Sequence, residues 1–298
     1  MSFPPGHIRA IRAARRGLAR FLIVIPFLVV VPVSLRFRWG GTAHPALDFA
    51  LLVVVEWVPT MAAMIALLPQ MPQGLGLGAP RSNVAASMAV AVLAPLAVAI
   101  GSYGIAWGAG LAPFIAPQAP AWVQGGTWGA MAHGIGAHLM RGFGAWLLLA
   151  FGEEIGWRGF LVVQLRRAEL PFPLLACGLI WSVWHWPSML IGSYPAGPDR
   201  VVSVLLLTTT LTSFSYVLSA LRIASGSVWP AAIAHALWNS FFFDSFEGAT
   251  RSSNLWTRES GLLTAAASIV VAALTVPVLG TAARAGGPAR ALRRRLRG

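Results

Sequence analysis

Apolar runs long enough to cross a bilayer recur along the whole chain, at about residues 18–35, 47–68, 84–107, 142–165, 172–192, 201–221, 228–243 and 261–281. A hydrocarbon core of ~30 Å takes about 20 residues of helix. Backbone groups inside that core find no water to bond, so a single segment crosses as a helix, which bonds to itself. The fold expected is all-α, a polytopic transmembrane helical bundle of about eight spans. Short breakers separate the runs, among them Pro69-Gln70-Met71-Pro72, Pro171-Phe172-Pro173 and Tyr194-Pro195-Ala196-Gly197-Pro198.

Composition agrees with that reading and charge orients it. Only 10% of residues are charged against 57% hydrophobic, too few charges to cover a water-soluble domain, where about 25% is usual. All 22 basic residues are Arg, and the net charge is +13. Arg9, Arg12, Arg15, Arg16, Arg20, Arg36 and Arg38 lie near the N-terminus, and Arg284, Arg290, Arg293, Arg294, Arg295 and Arg297 near the C-terminus. The nine Arg between them match the nine acids, so the excess flanks apolar spans. It is placed for cytoplasmic retention and for anionic lipid head groups at both termini, not for nucleic acid.

An even span count puts both termini in the cytoplasm, with Arg81, Arg166, Arg167 and Arg222 on cytoplasmic turns. The loop 108–130 and the segment 244–259 fall outside, as do Arg36 and Arg38, which run against the rule. The organisation expected is a basic N-terminal tail over 1–17, one transmembrane bundle over 18–283 with a polar core at about 142–243, and a basic tail over 284–298. The setting expected is the inner cell membrane. The run 18–35 follows a basic stretch but lacks a small-x-small cleavage site, which predicts an uncleaved first helix. The single cysteine, Cys177, rules out an intramolecular disulfide and reads as a packing residue.

Ionisable groups inside a span cost roughly 2.5–3.5 kcal/mol each on insertion scales, so their presence asks for a reason. Three clusters stand out: Gly152-Glu153-Glu154-Ile155-Gly156-Trp157-Arg158, Trp181-Ser182-Val183-Trp184-His185, and His235-Ala236-Leu237-Trp238-Asn239. Glu56 stands alone in the second run and reads as bonded to a neighbouring helix. His133 and His138, in a glycine-rich stretch, read as interfacial. Glu154 and Arg158 are four apart on one helix face, which leaves Glu153 rotated by about 100° toward something else. At ~1.5 Å per residue from the cytoplasmic markers, Glu153, His185 and His235 lie ~20 Å deep and Asn239 ~26 Å. A carboxylate, two imidazoles and an amide at matched depth suit hydrolysis: Glu153 deprotonates water, and His235 with Asn239 holds the oxyanion.

Glu153-Glu154-x-x-x-Arg158, then Trp181-x-x-x-His185, then His235-x-x-x-Asn239 resemble the three ordered motifs of the CAAX-protease and bacteriocin-processing family, known as CPBP or Abi. The resemblance covers about 147–243, with Trp181 where Phe is commoner. It implies an intramembrane endopeptidase of the CAAX prenyl protease type. Glu153 and His185 would activate water, His235 and Asn239 would stabilise the oxyanion, and Glu154, Arg158 and Trp181 would support the site.

The substrate expected is a membrane-associated peptide or protein, presented from the cytoplasmic side. The exclusive use of Arg and the abundance of Ala suggest a GC-rich bacterial genome, in which prenylated substrates are not expected. No cofactor is expected. Glu153, His185 and His235 could also ligate Zn2+, but the His-Glu-x-x-His motif is absent and a zinc site would leave no clear base. Two rival readings use the same residues. A non-catalytic binding or bacteriocin self-immunity protein of the same fold has no need of a base with an oxyanion hole. A small-solute or proton transporter would show paired broken helices, which are not evident.

Overall fold

The computed structural model describes residues 5–40, 43–68, 74–191, 194–250 and 254–285. These residues are helical apart from their connecting loops and one isolated bridge between Phe114 and Thr250. The helices are α1 (Pro5–Trp39), α2 (Pro45–Leu67), α3 (Val84–Gly108), α4 (Gly126–Glu154), α5 (Val162–Arg167), α6 (Pro173–Leu190), α7 (Arg200–Ser225), α8 (Trp229–Asn239), α9 (Phe246–Gly248) and α10 (Leu262–Ala285). A π-helical segment, Ile155–Leu161, joins α4 to α5, and a second, Ser240–Ser245, joins α8 to α9. The chain is a multi-pass membrane protein.

Six of the described helices are long and apolar enough to cross a membrane: α1, α2, α3, the run from α4 through α5, α7 and α10. The two further segments that make up the expected eight are α6 and α8 with its π turn. They fall short for a reason visible in their sequences. One spends its length on Trp181, Trp184, His185 and Trp186, and the other is only 11 residues long before its π turn. These two helices carry two of the three motifs.

Local sequence sets the ends of the elements. Proline stands in the first turn of α2, α6 and α8, where a missing N–H costs nothing. Asp199 caps α7 by accepting from the Val202 N–H at 3.0 Å, and Gly226 ends it at φ +72°. α1 begins at Pro5, so the basic N-terminal segment is helical and continuous with the first span. The breaker 69–72 and the tail beyond 285 lie outside the described residues.

Lipid tails are as apolar as leucine, so close packing and interhelical hydrogen bonds hold such a bundle together. Helices α2 and α4 show both. A Cβ on Gly152 would come within 2.5 Å of the Trp57 ring, and one on Gly156 would strike Pro59. Trp57 Nε1 donates to the Leu148 carbonyl at 3.0 Å, and the Thr60 hydroxyl to that of Gly152. The large side chains Trp157, Trp181, Trp238 and Phe160 are buried at the centre.

The charged side chains gather toward the two ends of the bundle, with arginine in excess at one and paired with acids at the other. One end carries Arg81, Arg166, Arg167 and Arg222, and there the segment 74–83 is strapped down. Val228 N–H donates to the Gly76 carbonyl at 2.9 Å, Arg81 N–H to Ser225 at 3.0 Å and Arg222 to Gly74 at 2.8 Å. The other end carries the turn from α1 to α2, closed by the Arg36–Asp48 ion pair at 3.0 Å, and the loops that precede α7 and α10.

Candidate active site

Glu153 and Glu154 close α4, and the wider π turn that follows buries both carboxylates together with Arg158. Insertions of this kind recur at functional sites because they re-aim side chains. Arg158 Nη1 donates to Glu154 Oε1 at 2.7 Å, as their spacing predicts, and its guanidinium lies 4.3 Å from the Trp181 ring centroid. Glu153 points elsewhere. Its Oε2 accepts from Trp157 Nε1 at 3.0 Å and from Trp181 Nε1 at 2.7 Å, and its Oε1 is 3.7 Å from His235 Nε2.

His235, on α8, is wedged between the two glutamates, because its Nδ1 lies 3.0 Å from Glu154 Oε1. That contact assigns Nδ1–H to Glu154 and leaves Nε2 facing Glu153 and open space. On α6, His185 is turned by its own helix: Nδ1 meets the Trp181 carbonyl at 3.0 Å, and the ring packs edge-on to Trp181 and Tyr194. Asn239 ends α8, one residue before the second π turn. Glu153, Trp181, His185, His235 and Asn239 line one cavity of about 530 Å³. Glu154 and Arg158 stand behind it. The structure thus brings together all seven residues singled out in the sequence, from three separate segments of chain.

Residues 135–241 match the family described as type II CAAX prenyl endopeptidase Rce1-like. The match agrees with the resemblance drawn from the motifs and spans all three of them. No curated protein matches the chain.

Three further polar residues line the cavity from outside the matched segment or between the motifs: Glu56, Tyr194 and Glu259. Glu56 is not merely bonded to a neighbouring helix. Its carboxyl is within hydrogen-bonding reach of Glu153, and its Oε2 has no partner among the described residues. Glu259, in the loop before α10, accepts from the Tyr194 hydroxyl and from Trp238 Nε1. Burial raises the Glu259 carboxyl pKa, with those two bonds pulling the other way. Burial and the neighbouring Glu259 raise the Tyr194 phenol well above its ordinary value, so Tyr194 stays a donor.

A lone acid in an apolar run was the available signal for Glu56. Nothing in the sequence marked Glu259 or Tyr194, which sit in loops where polar residues are ordinary. Among the described residues, no group of three His, Cys, Asp or Glu side chains is placed to hold a metal ion. The trio Glu153, His185 and His235 shares the cavity without forming such a cluster. Each imidazole Nδ1 is already engaged, one by a backbone carbonyl and the other by Glu154.

Proposed function

We propose that this protein is an intramembrane endopeptidase in which Glu153, assisted by His185, activates water against a peptide carbonyl. The observation that carries this reading is the position of Glu153. A buried carboxylate lies at the floor of a cavity large enough for a peptide segment, with two imidazoles and an amide lining the same space. Glu153 takes a proton from water as the water oxygen bonds to the carbonyl carbon. The oxyanion that forms is met by His235 Nε2, in its protonated form, and by the Asn239 amide. Collapse breaks the C–N bond, and the proton held on Glu153 passes to the leaving amine, so base and acid are one residue. Trp157 and Trp181, both donating to Glu153 Oε2, fix which carboxylate oxygen faces the cavity.

The setting proposed is a bacterial inner membrane with both termini cytoplasmic, because the arginine-rich end of the bundle satisfies the positive-inside rule there. The test is hydrolysis of apolar peptides by purified protein and by its Glu153→Gln variant. That change keeps the side chain's shape and removes the base, and it is expected to lower the rate by about 10²–10⁴. A folded Glu153→Gln protein with full activity would remove the assignment and leave peptide binding without cleavage as the better account.

A further inference from the structure

The cavity is one-sided. On α1, α2, α4, α6 and α8 the lining residues lie between the polar floor and the end of the bundle opposite Arg81, Arg166, Arg167 and Arg222, and α7 adds Leu211 near mid-helix. They fall within 29–37 on α1, with Gly40 just past its end, 48–56 on α2, 146–153 on α4, 181–188 on α6 and 235–243 on α8 and its π turn. Its loop residues, Tyr194, Pro195 and Glu259, come from that same end.

Directly below the floor large side chains fill the space, and a separate cavity of about 310 Å³ at the far end, lined by 74–78 and Arg222, shares no lining residue with this one. Trp157, Arg158, Phe160 and Leu161 are buried, and Phe21 of α1 packs on Trp157 and Phe160 with centroids 5.7 and 5.1 Å apart. Beneath them, segment 74–78 is tied to Arg222 and Val228.

The end below the floor bears Arg81, Arg166, Arg167 and Arg222. The open end bears Asp48, Asp199, Asp244, Glu247 and Glu259, which Arg36, Arg38, Arg141, Arg200 and Arg258 balance, whereas the sealed end adds the arginines at 9, 12, 15, 16 and 20 of α1 against Glu169 alone. By the positive-inside rule, the sealed end is cytoplasmic and the mouth is not.

We propose that substrate reaches Glu153 from the extracytoplasmic face, as an apolar peptide segment of an exported or membrane-anchored chain. This reverses the cytoplasmic presentation expected from the sequence, and it rests on the protease reading above. From Asp48 at the mouth to Glu56 at the floor is eight residues of helix, a depth of about 12 Å. An extended strand rises about 3.3 Å per residue, so roughly four residues span it. The walls those residues meet are apolar, formed by Val29, Val33, Leu52, Val55 and Leu149, and the Arg36–Asp48 ion pair sits at the rim.

Sided thiol labelling tests the direction without needing activity. With Cys177→Ser removing the only native thiol, Val33→Cys and Leu52→Cys place a thiol inside the cavity, and Gly78→Cys places one at the arginine end. A membrane-impermeant maleimide is applied to right-side-out and to inside-out vesicles. The two cavity variants are expected to label in right-side-out vesicles and the Gly78→Cys variant in inside-out vesicles. Labelling of both cavity variants from the face that labels the position-78 variant overturns the proposal. So does their protection from both faces until detergent is added. Peptide hydrolysis by the Cys177→Ser parent, whose cavity is unaltered, is measured in parallel. Outward labelling of a protein that cleaves nothing would sink the protease reading and leave the cavity's direction standing. Cleavage with inward labelling would sink the direction alone.

Discussion

Glu154 holds His235: its Oε1 lies 3.0 Å from the imidazole Nδ1 while also accepting from Arg158 at 2.7 Å. Spacing alone pairs Glu154 with Arg158, four residues on along one helix face. The imidazole contact gives it a second task, because the orientation of His235 Nε2 depends on it. Glu154→Gln is therefore expected to destabilise the protein by about 3–5 kcal/mol, by stranding the buried Arg158. It should also lower turnover of the protein that remains folded. Thermal unfolding measured beside kcat, per folded molecule, checks this. A variant of lower Tm with unchanged kcat would confine Glu154 to packing.

Asn239 lines the cavity one helical turn beyond His235, where an amide can reach the oxyanion of a bound peptide. Asn239→Ala is expected to lower kcat by roughly 10²–10³ with little change in KM, since an oxyanion donor acts mainly in the transition state. A rise in KM at constant kcat would make Asn239 a ground-state binding residue.

Glu56 faces Glu153 across the cavity floor. Two carboxylates in contact at low dielectric share a proton, so one of them donates to the other. If Glu56 is the donor, Glu56→Gln keeps an N–H for that bond and should retain activity within a few-fold. Glu56→Leu has nothing to donate and should lose about tenfold, the worth of one hydrogen bond to a charged group. Equal losses in the two variants would show that the Glu56 carboxyl, and not its hydrogen bond, is required.

The proposed activation of water by Glu153 and His185 calls for no metal ion. Dialysis against strong chelator is expected to leave peptide hydrolysis unchanged, measured as initial rate before and after. Loss on dialysis with recovery on adding Zn2+ would recast Glu153, His185 and His235 as ligands.

The sequence by itself determined the class of fold, because bilayer-length apolar runs leave a single chain little but helix. It also marked Glu153, Glu154, Arg158, Trp181, His185, His235 and Asn239, since a charge or imidazole inside an apolar run is conspicuous against its background. Spacing on one helix fixed the Glu154–Arg158 pair, which is a local relationship. The tertiary structure decided everything that passes between helices: that His235 lies between two glutamates, that Glu56 meets Glu153 from a helix 97 positions away in the chain, and that Glu259 and Tyr194 close the wall from loops. It also decided which end of the cavity is open. Spacing along a helix gives the depth of each polar group, but openness depends on which neighbours fill the space above and below. Here Trp157, Phe160 and Phe21 fill one side, and among the described residues no side chain fills the other.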